Sequence, residues 1–284
     1  MIDTTDHTYL QETLGDQFDD LFHDLDGEWS IEHDDLNGLS YDLDIPNKKI
    51  IFHNYGLRHN QLMASSYFAP QYLLSVAEAL RMVRHVEWLD GCISRYHPEA
   101  IIQIGRICVA DAHIHKIITA WNFKLDDNES LWKHLLCSDL SDMALAFEQS
   151  FEHLLSSGMD DDMAMKKSMA IAFNRWFADE NRTRDCDHDT LNLIDQMIDE
   201  CTIFGGRKLE GHAIPCLTLM AGTDTSYIDQ ILCNDVLRNP YYRTVNDPIN
   251  EAYLMQIIND MNKINVAGIT FSDPDLAARF AICD

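Results

Sequence analysis

The sequence predicts an α+β fold, mostly α, in which a small β-hairpin or sheet packs on a helical body that continues into a helical C-terminal extension. Three observations carry this. From residue 69 onward, apolar residues recur at steps of three and four over most of the chain. Short alternating or β-branched runs are confined to residues 29–53. The 284 residues are 46 % apolar and 24 % charged, which suits a globule with a sizeable core.

The elements follow in order. Leu10, Leu14, Phe18, Leu21, Phe22 and Leu25 are spaced for an amphipathic helix over 5–25 with an acidic outer face. Trp29-Ser-Ile31, Leu39-Ser-Tyr41-Asp-Leu43 and Lys49-Ile-Ile-Phe-His53 read as strands, with turn chemistry in Asp44-Ile-Pro-Asn-Lys48. A hairpin or three-stranded sheet is therefore expected within 26–54, and no other β structure. An apolar-rich helix over 69–92 ends at Gly91, and Pro98 suits the first position of a long helix over 98–124. Further helices are expected near 128–137, 140–157, 160–179, 189–203, 223–236, 247–263 and 272–282. Asp160-Asp-Asp162 reads as a helix N-terminus favouring negative charge. Gly205-Gly206 and the Gly211 to Gly222 stretch mark the best boundary, giving 1–205 as a main domain and 206–284 as an extension, either separate or part of the same domain, whose turns and helix starts suggest no chemistry.

Twenty-one Lys and Arg against 47 Asp and Glu leave a net charge of −26. Such a surface repels nucleic-acid backbones and anionic membranes, while a basic protein or peptide partner stays possible. Fourteen of the acids fall in the first 44 residues, which hold no Lys or Arg. The N-terminus lacks a basic n-region and an apolar h-region, and no apolar run is long enough to span a bilayer, so a cytoplasmic location is expected. The eight cysteines form no CxxC pair and are expected as reduced thiols.

Three places invite chemistry. On the 69–92 helix, Glu78, Arg81 and His85 project from one side beside Met82 and Leu89, while the opposite side is apolar. Burial on both sides would make them an internal polar stack, whether a structural salt bridge with a held histidine or a functional site. On the 98–124 helix, Asp111 interrupts the stripe Ile104, Ile107, Ile114, Ile118 and Trp121. A carboxylate in an apolar seam must be paired or neutralised. His115 lies one turn further on and could share a ligand with Asp111. The third place, Arg182-Thr-Arg-Asp-Cys-Asp-His-Asp189, is expected to be a polar connection in which Asp187 or Asp189 caps the following helix. GxGxxG, P-loop, GxSxG and HExxH motifs are all absent.

The order of features adds a resemblance. An acidic helix, a hairpin ending in Lys49-Ile-Ile-Phe-His-Asn54, a helix with Arg84-His85-Val-Glu-Trp88 and a helix with Ala110-Asp111-Ala112 and Ala120-Trp121 resemble a bacterial metallopeptidase-like, zincin-like family of unknown function. Ala172-Phe-Asn-Arg-Trp-Phe177 is similar to a later feature of that family, so the resemblance spans roughly 10–205. It implies a His-Glu-x-Arg-His motif in which two histidines hold zinc and the glutamate activates a bound water. Here the motif is degenerate: Arg81 stands at the first histidine and Met82 at the glutamate, leaving His85. Val109 occupies the acidic position before Ala110, and Asp111 is left in a role resembling that of a histidine-orienting carboxylate.

Three functions compete. The first is a metallopeptidase scaffold without catalytic zinc, a pseudoenzyme acting by binding or regulation, with Glu78, Arg81, His85 and Asp111 as its candidate site and no cofactor. The second is an active metal-dependent hydrolase with a rearranged site, holding zinc through His85, Asp111 and His115 with help from Glu78. The third is an acidic helical interaction protein that binds a basic partner.

Overall fold

A computed structural model describes residues 4–15, 29–200, 204–261, 264–266 and 269–271. The chain is mostly helical, with a small three-stranded mixed sheet packed on the helices. It divides into two compact units. The first is Met1–Asp90, Ile107–Asp179 and Gly211–Cys233; the second is Gly91–Arg106, Glu180–Glu210 and Asn234–Asp284.

In the first unit, α1 (Thr4–Leu14) buries Leu10 and Leu14. The helix expected over 5–25 ends here, because Gly15 turns into the left-handed region at φ +55; residues 16–25 lie outside the described residues. Strands β1 (Ser30–Asp34), β2 (Tyr41–Asp44) and β3 (Lys49–His53) have the order β1-β3-β2. β2 and β3 form the expected antiparallel hairpin, and β1 lies parallel to β3. Alternation along β3 buries Ile50 and Phe52, and the sheet packs on α3 (Phe68–Leu89). A short helix, α2 (His59–Met63), precedes α3. α3 is buried around most of its circumference, as its two apolar sides require.

Helix α4 (Pro98–Leu125) starts at Pro98 and contributes Ile107–Leu125 to this unit. It is followed by α5 (Ser130–Leu136), α6 (Ser141–Ser156) and α7 (Asp161–Trp176). Trp121 of α4 sits edge-on to Trp132, Phe147 and Phe151 at centroid separations of 5.2, 5.4 and 5.5 Å, forming the aromatic centre of the core. Asp160 caps α7 by accepting from the Met163 amide at 2.9 Å, the helix start expected of the Asp run. Helix α9 (Ala213–Leu217) belongs here too.

The second unit contains the start of α4 and α8 (Glu180–Asp199), α11 (Pro240–Arg243) and α12 (Pro248–Met261), with α12 packed on α8. α10 (Gln230–Arg238) starts seven residues later than the helix expected from 223. The expected polar connection at 182–189 is instead the first half of α8. Cys186, Asp187, Leu191 and Ile194 form a buried face there, so Asp187 does not cap a helix but is paired inside one. Strands β4 (Ile264–Val266) and β5 (Ile269–Phe271) form a second antiparallel ladder, correcting the expectation that all β structure lies in 26–54. The helix expected over 272–282 lies outside the described residues. Among the described residues no helix is long and apolar enough to cross a membrane.

Candidate functional site

The site lies in the first unit, where α3 and α4 each place two polar residues at i, i+4 on a buried face: Arg81 and His85 from α3, Asp111 and His115 from α4. All four are at most 4 % exposed, so each charge must find its partner inside the protein. Asp111 is the hub. Its Oδ2 accepts from Arg81 Nε and from His85 Nε2, the latter at 2.9 Å. Its Oδ1 accepts from the Tyr227 hydroxyl at 2.8 Å, with His115 Nε2 at 3.9 Å.

The stretch after α9 closes the site. Leu219 bridges to Ser226, Met220 N donates to Thr225 O at 2.9 Å, and Gly222 supplies the positive φ, at +66, that the turn between them needs. This turn presents the Leu219 carbonyl to Arg81 Nη2 at 2.7 Å and to His115 Nε2 at 3.3 Å, and it places Tyr227 over Asp111. The Leu217 carbonyl is 3.4 Å from the same Arg81 nitrogen. Arg81 Nη1 is buried with no hydrogen-bond partner among the described residues.

The electrostatics follow from these contacts. Burial opposes ionisation of Asp111, but the Arg81 guanidinium, with His115 and His85, outweighs it and holds the carboxyl well below the usual range. Burial likewise disfavours charge on His115, and Arg81 adds to this, so its pKa falls to about 3 although Asp111 pulls the other way. Burial also lowers His85, against the opposing bond to Asp111. The Tyr227 hydroxyl, buried beside the carboxylate, is raised well above the usual phenol range and stays a donor.

Glu78 stands apart from this cluster. It lies seven residues before His85, about 10 Å along the helix axis, and its carboxylate meets Lys116 Nζ at 2.7 Å, the Tyr41 hydroxyl at 3.4 Å and His113 Nε2 at 3.5 Å. His113 in turn accepts from Trp176 Nε1 at 3.0 Å on its Nδ1. Burial pushes Glu78 up, yet Lys116 and His113 bring it well below the usual range. The single stack expected from Glu78, Arg81 and His85 is therefore two networks. Arg81, His85, Asp111 and His115 come together, and Glu78 links α3 and α4 to the sheet. Cys186 is a buried thiol of the second unit, its pKa pushed up to about 12 by burial and by Asp187. Tyr227 and the Leu219 carbonyl carry no signal in the sequence: Tyr227 falls within the helix expected over 223–236 but precedes the observed one at Gln230.

A zincin-type centre needs nitrogen lone pairs converging on one point. Here the Nε2 atoms of both His85 and His115 face acceptors, a carboxylate and a carbonyl, and act as donors. The Asp111 carboxylate already accepts from three side chains, one of them a guanidinium. Among the described residues no group of three or more His, Cys, Asp or Glu side chains is arranged to hold a metal ion. The two Nε2 atoms and the Asp111 carboxylate, engaged in this way, do not form a zinc ligand set.

Residues 61–196 match a family model described as Putative metallopeptidase family (DUF6782). The matched stretch includes Glu78, Arg81, His85, Asp111 and His115, and ends before Leu219 and Tyr227. No curated protein and no solved structure matches the chain.

Proposed function

We propose that this chain is a metallopeptidase-type scaffold in which the Arg81 guanidinium takes the place of the metal, and that it acts by binding or regulation rather than by peptide hydrolysis. The observation that carries this reading is that both oxygens of Asp111 are engaged, by Arg81, His85 and Tyr227. In a metal site a carboxylate orients a histidine whose other nitrogen binds the ion. Here the same carboxylate contacts a fixed positive charge, supplied by the chain itself at the position where the degenerate motif expects histidine. A guanidinium, unlike a metal ion, offers no open coordination position for a water.

The site thus holds the helices together where an active relative would hold zinc. Elemental analysis of the protein purified without chelator tests this, with His85→Ala as the paired variant. The expected result is no stoichiometric metal in either protein. About one zinc per chain, lost in His85→Ala, would overturn the proposal and favour the rearranged hydrolase using His85, Asp111 and His115.

A further inference from the structure

We infer that the second unit carries a binding site for an organic monoanion, a carboxylate on an apolar body, unrelated to the Arg81–Asp111 cluster. A cavity of about 750 Å³ is lined entirely by residues of this unit, within the roughly 300–1,000 Å³ usual for small-molecule sites. Leu209, Leu237, Val245, Leu254 and Met255 give it an apolar lining. Lys208 and Arg243 supply positive charge to the same cavity, and both are exposed. Among the described residues neither has a carboxylate within ion-pair distance. In a chain with 47 acids and 21 bases, two cations on one cavity with no carboxylate partner among the described residues run against the composition.

Buried polar groups hold the wall in place. Arg106 bonds both oxygens of Asp187 at 2.6 Å and donates to the carbonyls of Tyr242 and Thr244, each at 3.0 Å. The backbone on both sides of Arg243 is thereby pinned. Gln103 donates to the Val236 carbonyl at 2.8 Å and fixes the chain leading into Leu237. A ligand meeting this wall has little ordering left to impose, which favours binding.

Charge on the lining narrows the class. Glu99, with His97 at 3.7 Å, and Glu251 also face the cavity. Two carboxylates on the lining penalise a doubly charged headgroup, and the class inferred is a single negative charge met by Lys208 and Arg243. The apolar residues select for a hydrocarbon body behind it. Lys208 and Arg243 both lie outside the residues matched by the family model, so the site does not follow from that match.

Calorimetric titration of the full chain with octanoate, octylamine, octyl phosphate and 2-aminooctanoate tests the inference. The Lys208→Gln, Arg243→Gln double variant is the control, since both side chains are exposed and the fold does not depend on them. Octanoate is expected to bind one per chain, at least tenfold more weakly in the double variant and more weakly in high salt. Octylamine is expected not to bind. Absent octanoate binding, or equal affinity in the double variant, would overturn the inference. Tighter binding of octyl phosphate or of 2-aminooctanoate than of octanoate would overturn the monoanion assignment.

Discussion

Replacing Arg81 by Met keeps the unbranched stem out to about the position of Nε and removes the charged guanidinium, which tests the guanidinium's part in the buried cluster. Asp111 then faces a site where His85 and Tyr227 still donate but no positive charge remains. Breaking one partner of a buried ion pair costs about 3–5 kcal/mol. The carboxylate can escape part of this by taking a proton, at a cost of about 1.4 kcal/mol for each pH unit above a normal aspartate pKa near 3.9. That route caps the charge penalty at about 4 kcal/mol at pH 7 and at about 1.5 kcal/mol at pH 5. The variant is therefore expected to lose about 3–4 kcal/mol at pH 7, and less than half of that at pH 5. Urea unfolding followed by tryptophan fluorescence measures the loss in the right place. All five tryptophans, Trp29, Trp88, Trp121, Trp132 and Trp176, belong to the first unit, as the cluster does. A loss below about 1 kcal/mol, or one that does not change between pH 7 and pH 5, would show that Arg81 does not carry the charge of this site.

The native chain has its own acid signature. His115 falls to about 3 in the fold and His85 is also lowered, so below about pH 6.5 the unfolded state takes up protons that the folded state does not. Stability is then expected to decline by about 1.4 kcal/mol per pH unit for each histidine that remains neutral, in the same fluorescence assay; His115→Gln should flatten the slope. Completing the motif with Arg81→His and Met82→Glu is expected to raise bound zinc above that of the native chain, read by elemental analysis after dialysis; no gain would mean that these two positions do not by themselves decide whether zinc is held. In the second unit, Asp187→Ala leaves the Arg106 guanidinium buried with only carbonyl partners, and should cost about 3–5 kcal/mol, seen as lost amide-exchange protection in α8. Gly205→Ala would bring a Cβ to 2.3 Å from the Arg95 carbonyl oxygen, a backbone atom that cannot swing away. Circular dichroism melting should show a clear drop in Tm for Gly205→Ala. The drop should be smaller for Gly105→Ala, which meets only the Thr190 side chain.

What was legible in the sequence follows from how local each signal is. The hairpin of β2 and β3, the start of α4 at Pro98 and the Asp160 cap depend on a few consecutive residues, and each is found where the sequence puts it. The acidic run at 182–189 misled because its polar composition resembles a loop. Its helical face becomes favourable only once Arg106, 81 residues away, neutralises Asp187. β4 and β5 are three residues each, too short for alternation to distinguish them from a turn.

The candidate site shows the same division with a sharper cause. Asp111 was readable because a charge inside an apolar stripe is expensive enough to demand a partner, and a helix can offer that partner only on a facing surface. Arg81 and His85 were readable as candidates because they share one face of a helix whose other side is apolar. What no local pattern could reveal was how the remaining valence of the cluster is filled. The second oxygen of Asp111 goes to Tyr227, 116 residues downstream, and Arg81 donates to a main-chain carbonyl that carries no side-chain identity at all. A backbone acceptor can be supplied by any residue, so nothing in the composition of the 217–219 segment distinguishes it. The helices that bear the charges were thus written in the sequence, whereas the groups that complete their pairing are set by where one turn, closed by Gly222, returns to the site. Closure of the site depends on that turn. In its absence Oδ1 of Asp111 would lose its hydrogen-bond donor, and a metal-orienting carboxylate has the same sequence signature as one engaged on both oxygens.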